Sequence, residues 1–267
     1  MPDTPSIPTL TTEDAPPSGD GWRPDLAALR ARLDDLDDKI HDLLMERARV
    51  VEGVARSGKT AAFRPGREAA ILRRLLARHQ GHLPGRTLVR MWREMLAGTT
   101  AMQSPVVVAV AGRSDAVPAL AREHFGFLTQ VTAYPSEAAA LAAVRTGDAT
   151  VAILPFPAAE GWWLGLPDAT PRLYIVARLP FWSDRPKTVP AADVLVVAAA
   201  APDASGDDRT FLLAPERPVL ADAGLPPLAM HGRVAEVAGL VTQDDPRLPA
   251  GSIVLGSFAR PVSGDHA

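Results

Sequence analysis

The stretch Leu26 to Ser57, LAALRARLDDLDDKIHDLLMERARVVEGVARS, constrains this chain more than any other. It has no proline and a single glycine, Gly53. Leu29, Leu33, Leu36, Ile40 and Leu43 recur at spacings of four and three, the apolar stripe of a helix. The stripe runs on to Val51 and Val54, but Arg47 stands in its line. A helix of this run is roughly 48 Å long at 1.5 Å per residue. That exceeds what a compact domain needs, so the helix is expected to lie along a partner chain.

Two shorter helices follow. REAAILRRLLARHQ, from Arg67, presents Ile71, Leu72, Leu75 and Leu76. A third runs from about Thr87 to Gln103, with the stripe Leu88, Trp92, Met95, Thr99 and Gln103. All three helices place polar groups where apolar ones belong: Arg47 on the first, Arg67 and Glu68 on the second, Thr99 and Gln103 on the third. Buried charges cost several kcal/mol unless they are paired. If these faces converge, they form a polar pocket with two or three cations, one carboxylate and one amide. Such a pocket suits a small dianion bearing a hydroxyl. It holds no activated nucleophile, so it favours charge complementarity over covalent chemistry.

The pattern changes after Pro105. VVVAVAG (106–112), a helix from Asp115 to Phe125, a strand Leu128 to Tyr134, SEAAALAAVRTG and TVAILPF (150–156) alternate as βαβαβ, which predicts a parallel α/β sheet. Ser136 is the expected N-cap of the second of these helices and Gly147 its stop. Further strands are expected at 172–178, 194–199, 209–214, 234–241 and 252–258. The domains are therefore a disordered arm over 1–22, where Pro2, Pro5, Pro8, Pro16 and Pro17 fall, a helical domain over 23–104 and an α/β domain over 105–267.

Composition narrows the function. A net charge of -3 gives no sign of a nucleic-acid partner. There are no cysteines, which excludes disulfides and thiol catalysis, and the six histidines show no metal-ligand spacing. No metal and no cofactor are expected. No run approaches the ~18 apolar residues of a membrane span, and a cytoplasmic protein is expected.

The runs LRARLDDLDDKIHDLLMERARVV, RPGREAAILRR and MWREMLAGTTAMQ resemble the all-helical class of chorismate mutase over about residues 26–103. The resemblance implies an intertwined homodimer whose long helix serves both of two active sites. It implies chorismate as substrate and its pericyclic rearrangement to prephenate, an isomerase reaction of aromatic amino-acid biosynthesis. Carried over by position, Arg30 is the arginine given to the partner's site and holds a substrate carboxylate. Arg47 holds a carboxylate within its own chain. Arg67 supports the charge network, Glu68 accepts from the substrate hydroxyl, and Gln103 donates to the ether oxygen. Thr99 stands where the family often has a serine. The family lysine aimed at the ether oxygen falls, in a gapless alignment, on Gly58, with Lys59 one residue later. Lys59 is the candidate for that role, either swinging inward or staying in solvent. Arg64 replaces an acid common in the family.

The α/β half more weakly resembles prephenate dehydratase, a fold of the periplasmic-binding-protein kind. Its signatures are largely missing: the Gly-Thr loop reads GRSDAVPAL, and Thr-Arg-Phe appears as Arg209-Thr210-Phe211. The expected function is a chorismate mutase joined to a degenerate dehydratase-like domain. Two other readings stay open: a bifunctional mutase–dehydratase, and a non-catalytic protein that binds a metabolite or regulates a partner.

Overall fold

The computed structural model describes residues 25–56, 63–112, 115–157, 161–185, 192–213 and 217–263. The expected arm over 1–22 and Lys59 lie outside the described residues. By internal packing the chain forms two units, Met1–Val51 and Glu52–Ala267.

The first unit carries most of α1, Leu26–Arg56. The periodicity dictates the helix, and its capping acid is Asp25, whose Oδ1 accepts from the Ala27 amide at 3.0 Å. No residue of α1 is buried. Leu33 is 59% exposed, Ile40 50% and Leu43 65%. This is an apolar face without cover among the described residues.

In the second unit, α2 (Pro65–Ala77) and α3 (Gly85–Ala101) precede β1 (Val107–Ala111), α4 (Ala116–Phe125), β2 (Gln130–Tyr134), α5 (Glu137–Thr146) and β3 (Val151–Pro155). The βαβαβ pattern forms as expected, with β1 parallel to both β2 and β3. Ser136 caps α5 by accepting from the Ala139 amide at 3.2 Å, and Gly147 ends it at φ 83°. Then come β4 (Tyr174–Leu179), β5 (Val194–Ala198), β6 (Asp208–Leu213), α6 (Arg217–Asp222), β7 (Ala229–His231), β8 (Val234–Ala238) and β9 (Ile253–Ala259). One nine-stranded sheet results, in the order β2-β1-β3-β5-β4-β9-β6-β8-β7.

The sheet is mixed, not parallel throughout. Beyond β3 the pairings are antiparallel except β4 with β9. The reason lies in the connections. Parallel neighbours need a covering crossover of a dozen or more residues, and among the described residues no long helix follows β3. The contact between the two halves of the sheet depends on Gly256. Its φ is 143°, and a Cβ there would lie 2.1 Å from the Ile175 carbonyl oxygen. No other residue permits that approach.

α2 and α3 share a core with this α/β body. Ala69, Leu72 and Leu76 of α2 and Val89 of α3 pack with Phe181, Ala259 and Val262. The buried face of α3 is Gly85, Val89, Arg93, Leu96 and Thr100. The stripe read from sequence, Leu88, Trp92, Met95, Thr99 and Gln103, is only half-buried. The difference is one residue of helical phase. Gly85, Arg93 and Thr100 interrupt the apolar Val89 and Leu96 on the buried face, so a search for apolar periodicity passes over it.

Candidate active site

Of the site residues singled out by sequence, all but Lys59 lie among the described residues. Arg30 and Arg47 belong to the first unit, four to five turns apart on α1. Arg30 is exposed and Arg47 half-buried. Burial lowers the Arg47 guanidinium pKa from its usual value, but an arginine stays charged at any working pH.

In the second unit, Arg67 and Glu68 occupy the first turn of α2. A carboxylate there faces the positive end of the helix dipole. Glu68 is nearly enclosed, and its Oε2 accepts from Nη1 of Arg93 at 2.8 Å. Arg93 sits one turn beyond Val89 on the buried face of α3, its guanidinium 4.7 Å from the centre of the Phe181 ring. Burial pushes the Glu68 carboxyl up, the Arg93 charge pulls it down, and the Asp203 charge pushes it up again, for a net rise. The Arg93 pair leaves the carboxylate with capacity to spare, because it has about four lone-pair sites. Glu68 is therefore a fixed acceptor. Removing Arg93 would leave it as an uncompensated buried charge.

Thr99 lies in the last turn of α3, and Gln103 stands two residues past its end. Thr99 Oγ1 donates to the Met95 carbonyl at 3.0 Å and to Leu96 at 3.1 Å. Gln103 Nε2 donates to the Thr99 carbonyl at 3.4 Å. The Thr99 bonds are of ordinary length, and only the Gln103 bond is long. Arg93 and Asp203 were missed by sequence reasoning. Arg93 had a signal, its i+4 spacing from Val89. Asp203 had none, because its partners are more than 130 residues away.

The dehydratase-like positions read differently. Thr210 is fully buried on β6. Its hydroxyl donates to the Gly239 carbonyl at 2.7 Å, lies 2.8 Å from Ser257 Oγ and accepts from the Val241 amide at 2.9 Å. That hydroxyl is committed to holding the sheet. Trp162 is likewise a packing residue, its indole donating to the Pro155 carbonyl at 3.2 Å.

A cavity of about 700 Å³ lies between α3, α4 and residues 179–185, lined in part by Arg93 and His124. His124 is buried with Nε2 unpartnered among the described residues. Burial first, and then the Arg93 charge, hold its pKa well below the usual 6.5. The folded protein therefore keeps His124 neutral, while the unfolded chain takes up a proton as pH falls through about 6.5. Its contribution is present above that pH and is lost as pH falls toward the folded value. Denaturant midpoints should drop between pH 7.5 and pH 5.5, and His124→Gln should flatten the drop. Equal slopes in the two proteins would exclude this origin.

Comparison with known proteins locates the segment. Residues 29–104 match the family model of chorismate mutase type II. Curated relatives described as bifunctional chorismate mutase/prephenate dehydratase are similar: that of Stutzerimonas stutzeri is 38% identical over 38% of this chain and 30% of its own, and that of Pseudomonas aeruginosa 36% over the same shares. That of Neisseria gonorrhoeae is 30% identical over 47% of this chain and 35% of its own. The chain thus spans about a third of the length of the curated relatives it matches. Among solved structures, the prephenate dehydratase of Arthrobacter aurescens with L-Phe superposes at a TM-score of 0.40 and 15% identity, covering 60% of this chain and 91% of that one. A protein described as a quorum-quenching acylase, GqqA, gives 0.39 and 19%, covering 57% and 94%. The stretch 29–104 is thus similar to chorismate mutase type II, and a mixed α/β region follows it.

Proposed function

We propose that this chain is a chorismate mutase, rearranging chorismate to prephenate without cofactor, and that residues 23–104 form its functional helical unit. The observation that carries the reading is the family match over 29–104; Arg30, Arg47, Arg67, Glu68, Thr99 and Gln103 fall within that stretch and take the roles the sequence resemblance implies. The rearrangement breaks a carbon–oxygen bond as a carbon–carbon bond forms, in one step, and needs no protein nucleophile. Catalysis requires a compact conformer and donors at the ether oxygen, where negative charge grows. Arg30 and Arg47 fork onto the two carboxylates and select that conformer. Glu68, held by Arg93, accepts from the substrate hydroxyl. Gln103 donates to the ether oxygen, and Lys59 is assigned the cation beside it.

Each site takes Arg30 from a second copy, so the active form is a homodimer. The uncovered stripe of α1 supports this, since a partner helix would remove it from water. No described helix is long and apolar enough to cross a membrane, and we assign the enzyme to the cytoplasm. The buried Thr210 hydroxyl argues against a second, dehydratase activity in the α/β region. The test of the substrate assignment is the loss of chorismate ultraviolet absorbance on adding the full chain, abolished by Glu68→Ala. Chorismate left intact by folded wild-type protein would overturn it.

A further inference from the structure

The α/β region has no assigned task in the reading above, yet one of its loops grips the helix that carries Arg67 and Glu68. α2 begins at Pro65, and its N-cap residue, Arg64, makes no side-chain cap bond. The first amides of a helix have no partner within it. Here Asp203, in the loop between β5 and β6, supplies one. Its Oδ1 accepts from the Gly66 amide at 2.8 Å and its Oδ2 from the Arg67 amide at 3.0 Å. Arg64 Nε lies 3.3 Å from the same carboxylate. The approach is so close that a Cβ on Gly66 would lie 2.0 Å from the Asp203 carbonyl oxygen.

A second clamp closes on the same loop. Arg73, near the middle of α2, donates through Nη1 to Ser205 Oγ at 2.7 Å and through Nη2 to the Asp207 carbonyl at 2.9 Å. Ser205 is itself held by Asp208, which accepts from its amide at 3.1 Å. The loop is thus braced from the β6 end and fixes α2 at two points. A side chain in the first turn of a helix takes its rotation and rise from whatever caps that turn, and the residues here are the ones the mutase reading needs.

We propose that the α/β region serves the mutase site, with Asp203 as a positioning residue that caps α2 and sets the place of Arg67 and Glu68. This rests on the mutase reading. The charges facing Glu68 are Arg93 from α3 and Asp203 from the loop. Asp203 is shared with Arg64, and Arg93 also feels Glu123 of α4. Removing the Asp203 charge therefore makes Glu68 more acidic, whereas loosening the Arg73 clamp leaves those charges in place.

The experiment compares the full-length wild type with Asp203→Ala, Asp203→Asn and Arg73→Gln. Small misplacements of reacting groups cost large factors in rate, so Asp203→Ala should lower kcat by about tenfold. Asp203→Asn keeps an acceptor oxygen and should recover most of that loss. Both Asp203 variants should move the acid limb of kcat/KM to lower pH. Arg73→Gln should lower Tm without moving that limb. An Asp203→Ala protein with wild-type kcat and an unmoved limb would overturn the proposal, as would an equal limb shift in Arg73→Gln. If Asp203→Ala does not fold, the Asp203→Asn limb decides. A wild type inactive on chorismate would instead sink the mutase reading. The positioning claim is then read from carbon-13 NMR titration of Glu68, assigned with Glu68→Gln. Its midpoint should fall in Asp203→Asn, and an unchanged midpoint would overturn it.

Discussion

Arg47→Ala is expected to reduce chorismate turnover by about 10²–10³-fold, and Arg30→Ala by a similar factor. In the proposed site each variant removes a guanidinium fork from a substrate carboxylate, and the compact conformer loses its clamp. Mixing the two inactive proteins under conditions that exchange subunits is more informative than either variant alone. In a two-fold dimer with Arg30 crossing the interface, one site of each hybrid is intact and the other lacks both arginines. Random exchange makes about half the dimers hybrids, so the mixture should recover about a quarter of wild-type activity. Were both arginines to serve a site in the same chain, mixing would restore nothing.

The second large effect concerns the stripe of α1. Leu29, Leu33, Leu36, Ile40 and Leu43 are each at least 43% exposed in the single chain. Covering such side chains stabilises by roughly 1.5–3 kcal/mol apiece at full burial. Salt bridges such as Lys39 to Asp35 at 2.6 Å, both exposed, contribute little by comparison. The double variant Leu33→Asp/Ile40→Asp places charge on the stripe two turns apart and should dissociate the dimer. Light scattering at micromolar concentration should give the mass of one chain, where wild type gives two. Turnover should fall with the proposed dimer, because in that reading each site takes Arg30 from the partner chain. A double variant that stays dimeric and active would show that α1 meets its partner by another face.

Much of this architecture could be read in the sequence, for physical reasons that differ by element. The period of Leu29 to Leu43 is strictly helical, and α1 follows it to Arg56. Ser136 and Gly147 carry their own local chemistry, a side-chain acceptor and tolerance of positive φ, so α5 begins and ends where they stand. The parallel half of the sheet is encoded in short apolar runs separated by helices. The antiparallel half is not, because strand pairing there depends on which edge each return takes. β7, with three residues, and α6, with six, are too short to show a period.

The site was legible in part. Arg67, Glu68, Thr99 and Gln103 stand out as polar groups at helical spacing. Arg93 lies on a face that the apolar stripe does not define; its i+4 spacing from Val89 is its sequence signal, and the pairing at 2.8 Å with Glu68 reveals its part. Asp203 is a helix cap supplied from the far side of the sequence, and local pattern carries no trace of it. The contact between α2, α3 and the α/β body also blurs the boundary that composition places near residue 104.

The most direct measurement is a proton NMR time course of chorismate with the folded, full-length chain at neutral pH. The account predicts that prephenate accumulates at the rate chorismate disappears, with no phenylpyruvate, and that Glu68→Ala stops the conversion. Chorismate unchanged by the wild type, or phenylpyruvate formed and lost on Thr210→Ala, would contradict it.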